Sequence, residues 1–202
     1  MKLPVITISR EYGSGGRAIG EKVAEALNIP FYDNDRIHEM AKESGAEEMV
    51  RKTERMKATS FLYGLYMNAT QHPTKDDLFE LQSQVIRKVA EEGPCVIVGR
   101  CADYILRDRD DLLSVFIHAP LEFRVERART AYRIDTDNIE AHVKKQDKDR
   151  ANFYNRISDR KWGDANSFHF AMSSVYGIDF SAEVLKHAAI HFLEHQDENP
   201  EK

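Results

Sequence analysis

Short, unbroken apolar runs alternate along this chain with longer stretches whose apolar residues recur every three or four positions. Val5 to Ser9 is the first run and predicts a strand. Cys95 to Gly99 and Leu112 to Ile117 are continuous apolar runs, as in central strands covered on both faces. Between them lie helical patterns. Arg17 to Leu27 carries Ala18, Ile19, Val23, Ala26 and Leu27 on one face, and Asp76 to Glu92 carries Leu78, Leu81, Val85 and Val89 before Gly93-Pro94 stops it. Asn28 to Tyr32 reads as a turn and a short second strand. Asp33 or Asn34 then caps a helix from Asp35 to about Glu43. Glu122 to Arg133 and Ile139 to about Ile157 read as helices, the second strongly charged. Phe168 to Met172 is a last strand, Phe180 to His195 a closing helix, and Gln196 to Lys202 a frayed tail. Residues 44–75 are polar and mixed, with an aromatic patch from Phe61 to Met67.

Strands alternating with helices predict a parallel sheet covered on both faces. Ligands on such sheets bind at the carboxyl ends of the strands. Arg10, Asp33, Arg100 and the residues after Ile117 all fall at such ends.

The turn after the first strand, "SREYGSGGRAIG" (9–20), has the strand, glycine-rich turn and helix of a phosphate-binding loop. Compared with G-x-x-x-x-G-K-[ST], Gly15 is in place. Gly16 stands at the lysine position, Arg17 at the hydroxyl position and Arg10 at the first glycine. Backbone N–H groups of Gly13, Ser14, Gly15, Gly16 and Arg17, at the positive end of a helix, form an anion cradle whatever the side chains are. Arg17 is the expected replacement for the lysine, with two donors for the β- and γ-phosphates. The alternative is a turn that merely joins strand to helix.

The 202 residues are enough for one domain with a core. A net charge of −5 argues against a general nucleic-acid binder, although Arg and Lys cluster between 124 and 161. Two cysteines, Cys95 and Cys101, are too few for a disulfide framework and lack zinc spacing. Met1-Lys2-Leu3-Pro4 does not read as a signal peptide, and no apolar run reaches membrane-spanning length. The expectation is a soluble, cytoplasmic protein.

Three stretches carry a family resemblance: "ITISREYGSGGRAIGEKVAEALNIPFYDND" (6–35), "VIVGRCADYIL" (96–106) and "KKQDKDRANFYNRISDRKWGD" (144–164). In this order, with the run-out "FAMSSVYGID", they resemble the cytidylate kinase-like family of P-loop proteins. The resemblance implies an α/β fold of the P-loop NTPase type. That is a three-layer α/β/α sandwich with a mostly five-stranded parallel sheet and a helical lid. It implies a single domain over 1–202, with 44–75 covering the acceptor and 128–165 forming the lid region. The implied activity is ATP-dependent phosphoryl transfer, with Mg²⁺, to a small acceptor such as CMP or dCMP. Gly13 to Arg17 would hold the donor. Arg10, Asp33, Arg100 and Asp147 would hold the acceptor. Arg17, Arg127, Lys145 and Arg150 would neutralise the transferring group as the lid closes. No general base is required, because catalysis of this kind is mostly positioning plus positive charge.

The loop lacks its hydroxyl ligand, so Mg²⁺ would be held by Ser14, by Asp103 or through water. No metal-ligating set stands out. His187, His191 and His195 recur every four residues, but a hydrated helix face explains them better. Asp33 also suits a helix cap, Arg100 a surface ion pair, and Asp147 with Arg150 a solvated helix. Two other functions fit the same residues. One is a non-catalytic module that senses a nucleotide, and the other is a kinase of a non-nucleotide small molecule.

Overall fold

The computed structural model of the protein describes residues 3–44 and 75–196. The aromatic patch and nearly all of the segment expected over the acceptor (44–75) lie outside them, as does the tail beyond Gln196.

Five strands form one sheet in the order β2-β3-β1-β4-β5. They are β1 (Val5–Arg10), β2 (Phe31–Tyr32), β3 (Val96–Val98), β4 (Leu112–His118) and β5 (Phe170–Ser173). Every pairing is parallel, with Ile6 of β1 opposite both Val96 and Leu113. Successive side chains of a strand go to opposite faces. Val5 and Ile97 join one apolar cluster, and Ile6, Ile8, Val96 and Val115 join another.

Each cluster is closed by helices. On the first face lie α2 (34–44), α3 (Lys75–Glu91) and the single-turn α4 (Ala102–Ile105), through Ile37, Ala41, Val85, Ile86 and Ile105. On the second lie α1 (Gly16–Leu27) and α7 (Ile178–Gln196), through Ile19, Val23, Leu185 and Ala189. Burying side chains of this size stabilises by about 1.5–3 kcal/mol each. The result is the predicted three-layer α/β/α sandwich. A third cluster, Cys101, Phe116, Tyr154 and Phe168, ties α6 (Ile139–Ile157) to the sheet. Before it runs α5 (Leu121–Thr130). No helix among the described residues is long and apolar enough to cross a membrane.

Several boundaries differ from the sequence expectation, the closing helix for one starting at Ile178 and not Phe180. The last strand starts at Phe170, where its pairing with Val115 begins, because Ala165–Ser167 forms a 3₁₀ turn and Phe168 points into the third cluster. The helix expected to reach Arg133 ends at Thr130, and Arg133 adopts left-handed backbone with φ 52°.

Candidate active site

β1 delivers the chain into a tight loop before α1. Gly13 and Gly15 have φ of 81° and 82°, a region that favours glycine. A β-carbon on Gly13 would stand 2.6 Å from the Arg124 carbonyl oxygen, so α5 lies directly against the loop. Gly15 caps α1 without a side-chain hydrogen bond, which leaves the first-turn N–H groups of the helix uncapped. These are the donors of the expected anion cradle.

The cation above the cradle is Arg127, not Arg17. Arg127 Nη1 donates to the Gly13 carbonyl at 3.3 Å and occupies the space that a β-carbon on Gly15 would need. Arg17, on the first turn of α1, runs the other way. Its Nε and Nη2 both reach Asp33 Oδ2 at 2.8 Å, its Nη1 lies 3.4 Å from Glu21, and its side chain is 58% exposed. The loop has no room for a lysine either. A β-carbon on Gly16 would sit 2.8 Å from Arg10 Cβ, because the Arg10 side chain crosses that glycine.

Arg10 continues until its guanidinium lies against Gly99, where a β-carbon would collide with Nη1. It enters a cavity of about 370 Å³ shared with Arg100 and Arg150. Three elements thus bring three expected residues together: the end of β1, the turn after β3, and α6. None of the three makes an ion pair among the described residues, and the one acid in the lining, Asp149, is exposed. Burial, with Arg150 and then Arg100 beside it, pulls the Arg10 guanidinium down from its ordinary value to about 9. Burial lowers Arg100 and Arg150 as well. Nε of Arg100 is buried and has no hydrogen-bond partner. Arg150 Nη1 donates to the Arg10 carbonyl at 3.0 Å, which fixes α6 to the end of β1. A second cavity of about 400 Å³ adjoins the first across Arg100 and Phe153, and Phe79, Gln82 and Asn152 also line it.

Other expected residues have structural duties. Asp33 caps α2, its Oδ1 accepting from the N–H groups of Asp35 and Arg36 at 3.1 and 3.0 Å. Burial opposes its ionisation, yet the Arg36 N–H and the Arg17 guanidinium hold its carboxyl below the ordinary value. Asp147 is turned from the cavity: its Oδ1 accepts the Tyr12 N–H at 2.7 Å and its Oδ2 pairs with Arg124. Lys145 is exposed and lines neither cavity. His187 and His191 each bond within their own helix.

Neither expected Mg²⁺ ligand is available. The Ser14 hydroxyl donates to the Glu11 carbonyl at 2.9 Å, and both Asp103 oxygens accept protein hydroxyls. Glu11 accepts the Ala119 N–H and pairs with Arg124. Among the described residues no group of three or more His, Cys, Asp or Glu is placed to hold a metal. Ser14 and Asp103, both buried and hydrogen-bonded within the protein, are therefore not placed to hold Mg²⁺.

Two structural parts of the site do not stand out in the sequence. There Arg124 is one basic residue among several. Here it is buried, donating to the Ala119 and Tyr12 carbonyls and pairing with Glu11 and Asp147. The sequence signal of Asp103 is an acid inside the apolar run Cys101 to Leu106, which marks a buried hydrogen-bonding carboxyl as well as a metal ligand.

The model of the cytidylate kinase-like family matches residues 5–176. A cytidylate kinase of Methanopyrus kandleri is 25% identical over 203 residues, covering 96% of each chain. Among solved structures, a protein of unknown function from Eubacterium ventriosum aligns with TM-score 0.72 and 27% identity, over 92% of this chain and 98% of that one. A gluconokinase from Sinorhizobium meliloti aligns with TM-score 0.58 and 17% identity over 97% of each, so it bears on the fold alone.

Proposed function

This chain belongs to the cytidylate kinase-like family, and on that footing we propose that it moves the γ-phosphoryl group of ATP onto a small anionic acceptor, with CMP or dCMP as the preferred candidates. One observation carries the reading. Arg10, Arg100 and Arg150 line one cavity beside the phosphate loop without an ion pair among the described residues. The three are half-buried, and like charges left together without a counter-ion call for a ligand that brings negative charge. A phosphate monoester does so, and planar guanidinium groups match its oxygens.

The rest follows from position. The α1 cradle and Arg127 receive the donor phosphates, and the three arginines hold the acceptor phosphate. An acceptor phosphate oxygen is already ionised, so it attacks the γ-phosphorus without a protein base while the bond to the β-phosphate oxygen breaks. The second cavity, with Phe79, Phe153, Gln82 and Asn152, suits a flat polar ring joined to that phosphate. The name of the Methanopyrus kandleri relative supports a cytosine ring.

A reading without turnover has one observation in its favour: the oxygen-bearing side chains of Ser14, Glu11 and Asp103 are all committed to protein partners. Release of ADP from ATP, measured across nucleosides, nucleoside monophosphates and small acids, separates the two. Turnover that needs an anionic acceptor supports the kinase. ATP binding with no ADP formed under any acceptor supports the sensor.

A further inference from the structure

The turn after β3 is strained. Gly99, Arg100 and Cys101 have φ of 88°, 56° and 54°, so two consecutive non-glycine residues sit in the left-handed region. That conformation is unfavourable for any residue with a β-carbon, and it persists only where the surroundings impose it. The turn is closed by the Ala102 N–H donating to the Gly99 carbonyl at 3.2 Å, and it leads straight into α4. A single turn of helix does not hold itself together in water. Something outside must fix it.

Asp103 is the residue placed to do so. It lies on α4 and is 2% exposed. Its Oδ1 accepts from Ser9 Oγ at 3.2 Å, and its Oδ2 accepts from the Tyr154 hydroxyl at 2.7 Å. The two partners stand next to the other two arginines. Ser9 precedes Arg10 on β1, and Tyr154 lies one helical turn beyond Arg150 on α6. Asp103 itself follows Arg100 through the strained turn. One buried carboxyl thus joins the three elements that carry the three arginines. Those arginines repel one another, since Arg150 and Arg100 both disfavour the charged form of Arg10.

We propose that Asp103 is the positioning residue of the arginine cluster, holding β1, the 99–101 turn and α6 together so that Arg10, Arg100 and Arg150 converge on one anion. Asp103 does not line the cavity. It acts through Ser9, Tyr154 and the backbone of its own turn. Burial raises its carboxyl, which suits a hub built for hydrogen bonds more than for charge. An asparagine can serve the same geometry, with its oxygen accepting from Tyr154 and its amide donating to Ser9 Oγ.

The test compares the full-length wild type with Asp103→Ala, Asp103→Asn and Tyr154→Phe. Affinities for CMP, inorganic phosphate and ATP are measured, together with amide hydrogen exchange over 99–105. Asp103→Ala and Tyr154→Phe should weaken CMP and phosphate about tenfold or more, because buried hydrogen bonds are lost from the support. ATP affinity should hold, exchange over 99–105 should quicken, and Asp103→Asn should restore both. A folded Asp103→Ala protein with wild-type CMP affinity and unchanged exchange overturns the proposal. So does an equal loss of CMP and ATP binding. If Asp103→Ala does not fold, Tyr154→Phe decides by the exchange over 99–105, because Tyr154 itself lines the cavity. The binding arm rests on the acceptor reading above. A wild type that binds neither CMP nor phosphate contradicts that reading, and the exchange arm still decides the role of Asp103.

Discussion

The β-carbon that Gly16 lacks would stand 2.8 Å from Cβ of Arg10. The lysine position of this phosphate loop is therefore filled by an arginine from the preceding strand, on its way to the neighbouring cavity. Gly16→Lys, which restores the usual loop motif, should damage the protein. The new side chain must push Arg10 aside, and an overpacked site of this kind costs about 1–3 kcal/mol. CMP binding should fall with stability, and ATP binding should not improve. Tighter ATP binding by Gly16→Lys would show that the loop accepts a lysine after all.

Arg127 and Arg17 make opposite predictions. Arg127 lies over the loop crest, whereas Arg17 is forked onto Asp33 at the surface. A charged hydrogen bond to a ligand is worth about 1.5–3 kcal/mol, so Arg127→Ala should lower ATP affinity about tenfold or more. Exposed ion pairs contribute little, so Arg17→Ala should change ATP affinity about twofold or less. Titration of ATP against both variants checks this, and the reverse order would return Arg17 to the donor site.

Arg124 and Asp147 clamp the loop between α5 and α6, with Asp147 also holding the Tyr12 N–H. Their side chains are only 9% and 16% exposed. Removing Asp147 leaves a buried guanidinium short of its partner, at a cost of about 3 kcal/mol. Glu11 remains beside Arg124, so the low end of the range applies. Thermal unfolding of Asp147→Ala should come roughly 6–12 °C lower for a chain of this size. An unchanged transition would mean that the pair is not a structural clamp.

With Arg10 in the proposed acceptor site, its charge should make acceptor binding sensitive to alkaline pH. Its folded value of about 9 is far below the ordinary one, because burial and the neighbouring arginines disfavour the charged form. An anion binds the protonated guanidinium. Affinity for CMP should therefore be full below about 9 and decline as pH rises through that value. The same shift makes the unliganded fold release this proton before the unfolded chain does, so the penalty of burying Arg10 is relieved above about 9. Calorimetric CMP titrations from neutral pH upward check the first point. A flat profile through this range in the wild type would mean that Arg10 keeps its proton there and that burial and its neighbours do not depress it.

The central strands were legible because burial on both faces leaves an unbroken apolar run, as at Val96–Val98 and Leu112–Ile117. Phe168 extended such a run on paper, yet its ring belongs to a different cluster, and only the tertiary packing with Phe116 and Tyr154 reveals that. Arg10, Arg100 and Arg150 could be named from their places near strand ends and in the lid. Which charges would be diverted could not. Arg17 found Asp33, and Asp147 found Arg124 and the Tyr12 N–H, through contacts between different elements that only the tertiary fold brings together. A glycine that is small to admit an arginine, as at Gly16, also looks in sequence like one that is small for a phosphate.

The most direct test of the acceptor reading is CMP-dependent ADP formation by the wild type and by Arg100→Ala, with ATP affinity measured on both. Arg100 is the arginine that borders both cavities and keeps a buried Nε without a partner. The wild type should form ADP when CMP is supplied and not otherwise. Losing one preorganised charged donor typically lowers rate by about 10²–10³, and Arg100→Ala should lose about that much kcat/KM for CMP while binding ATP as before. ADP formation that ignores CMP, or an Arg100→Ala variant that turns CMP over at the wild-type rate, would contradict the account.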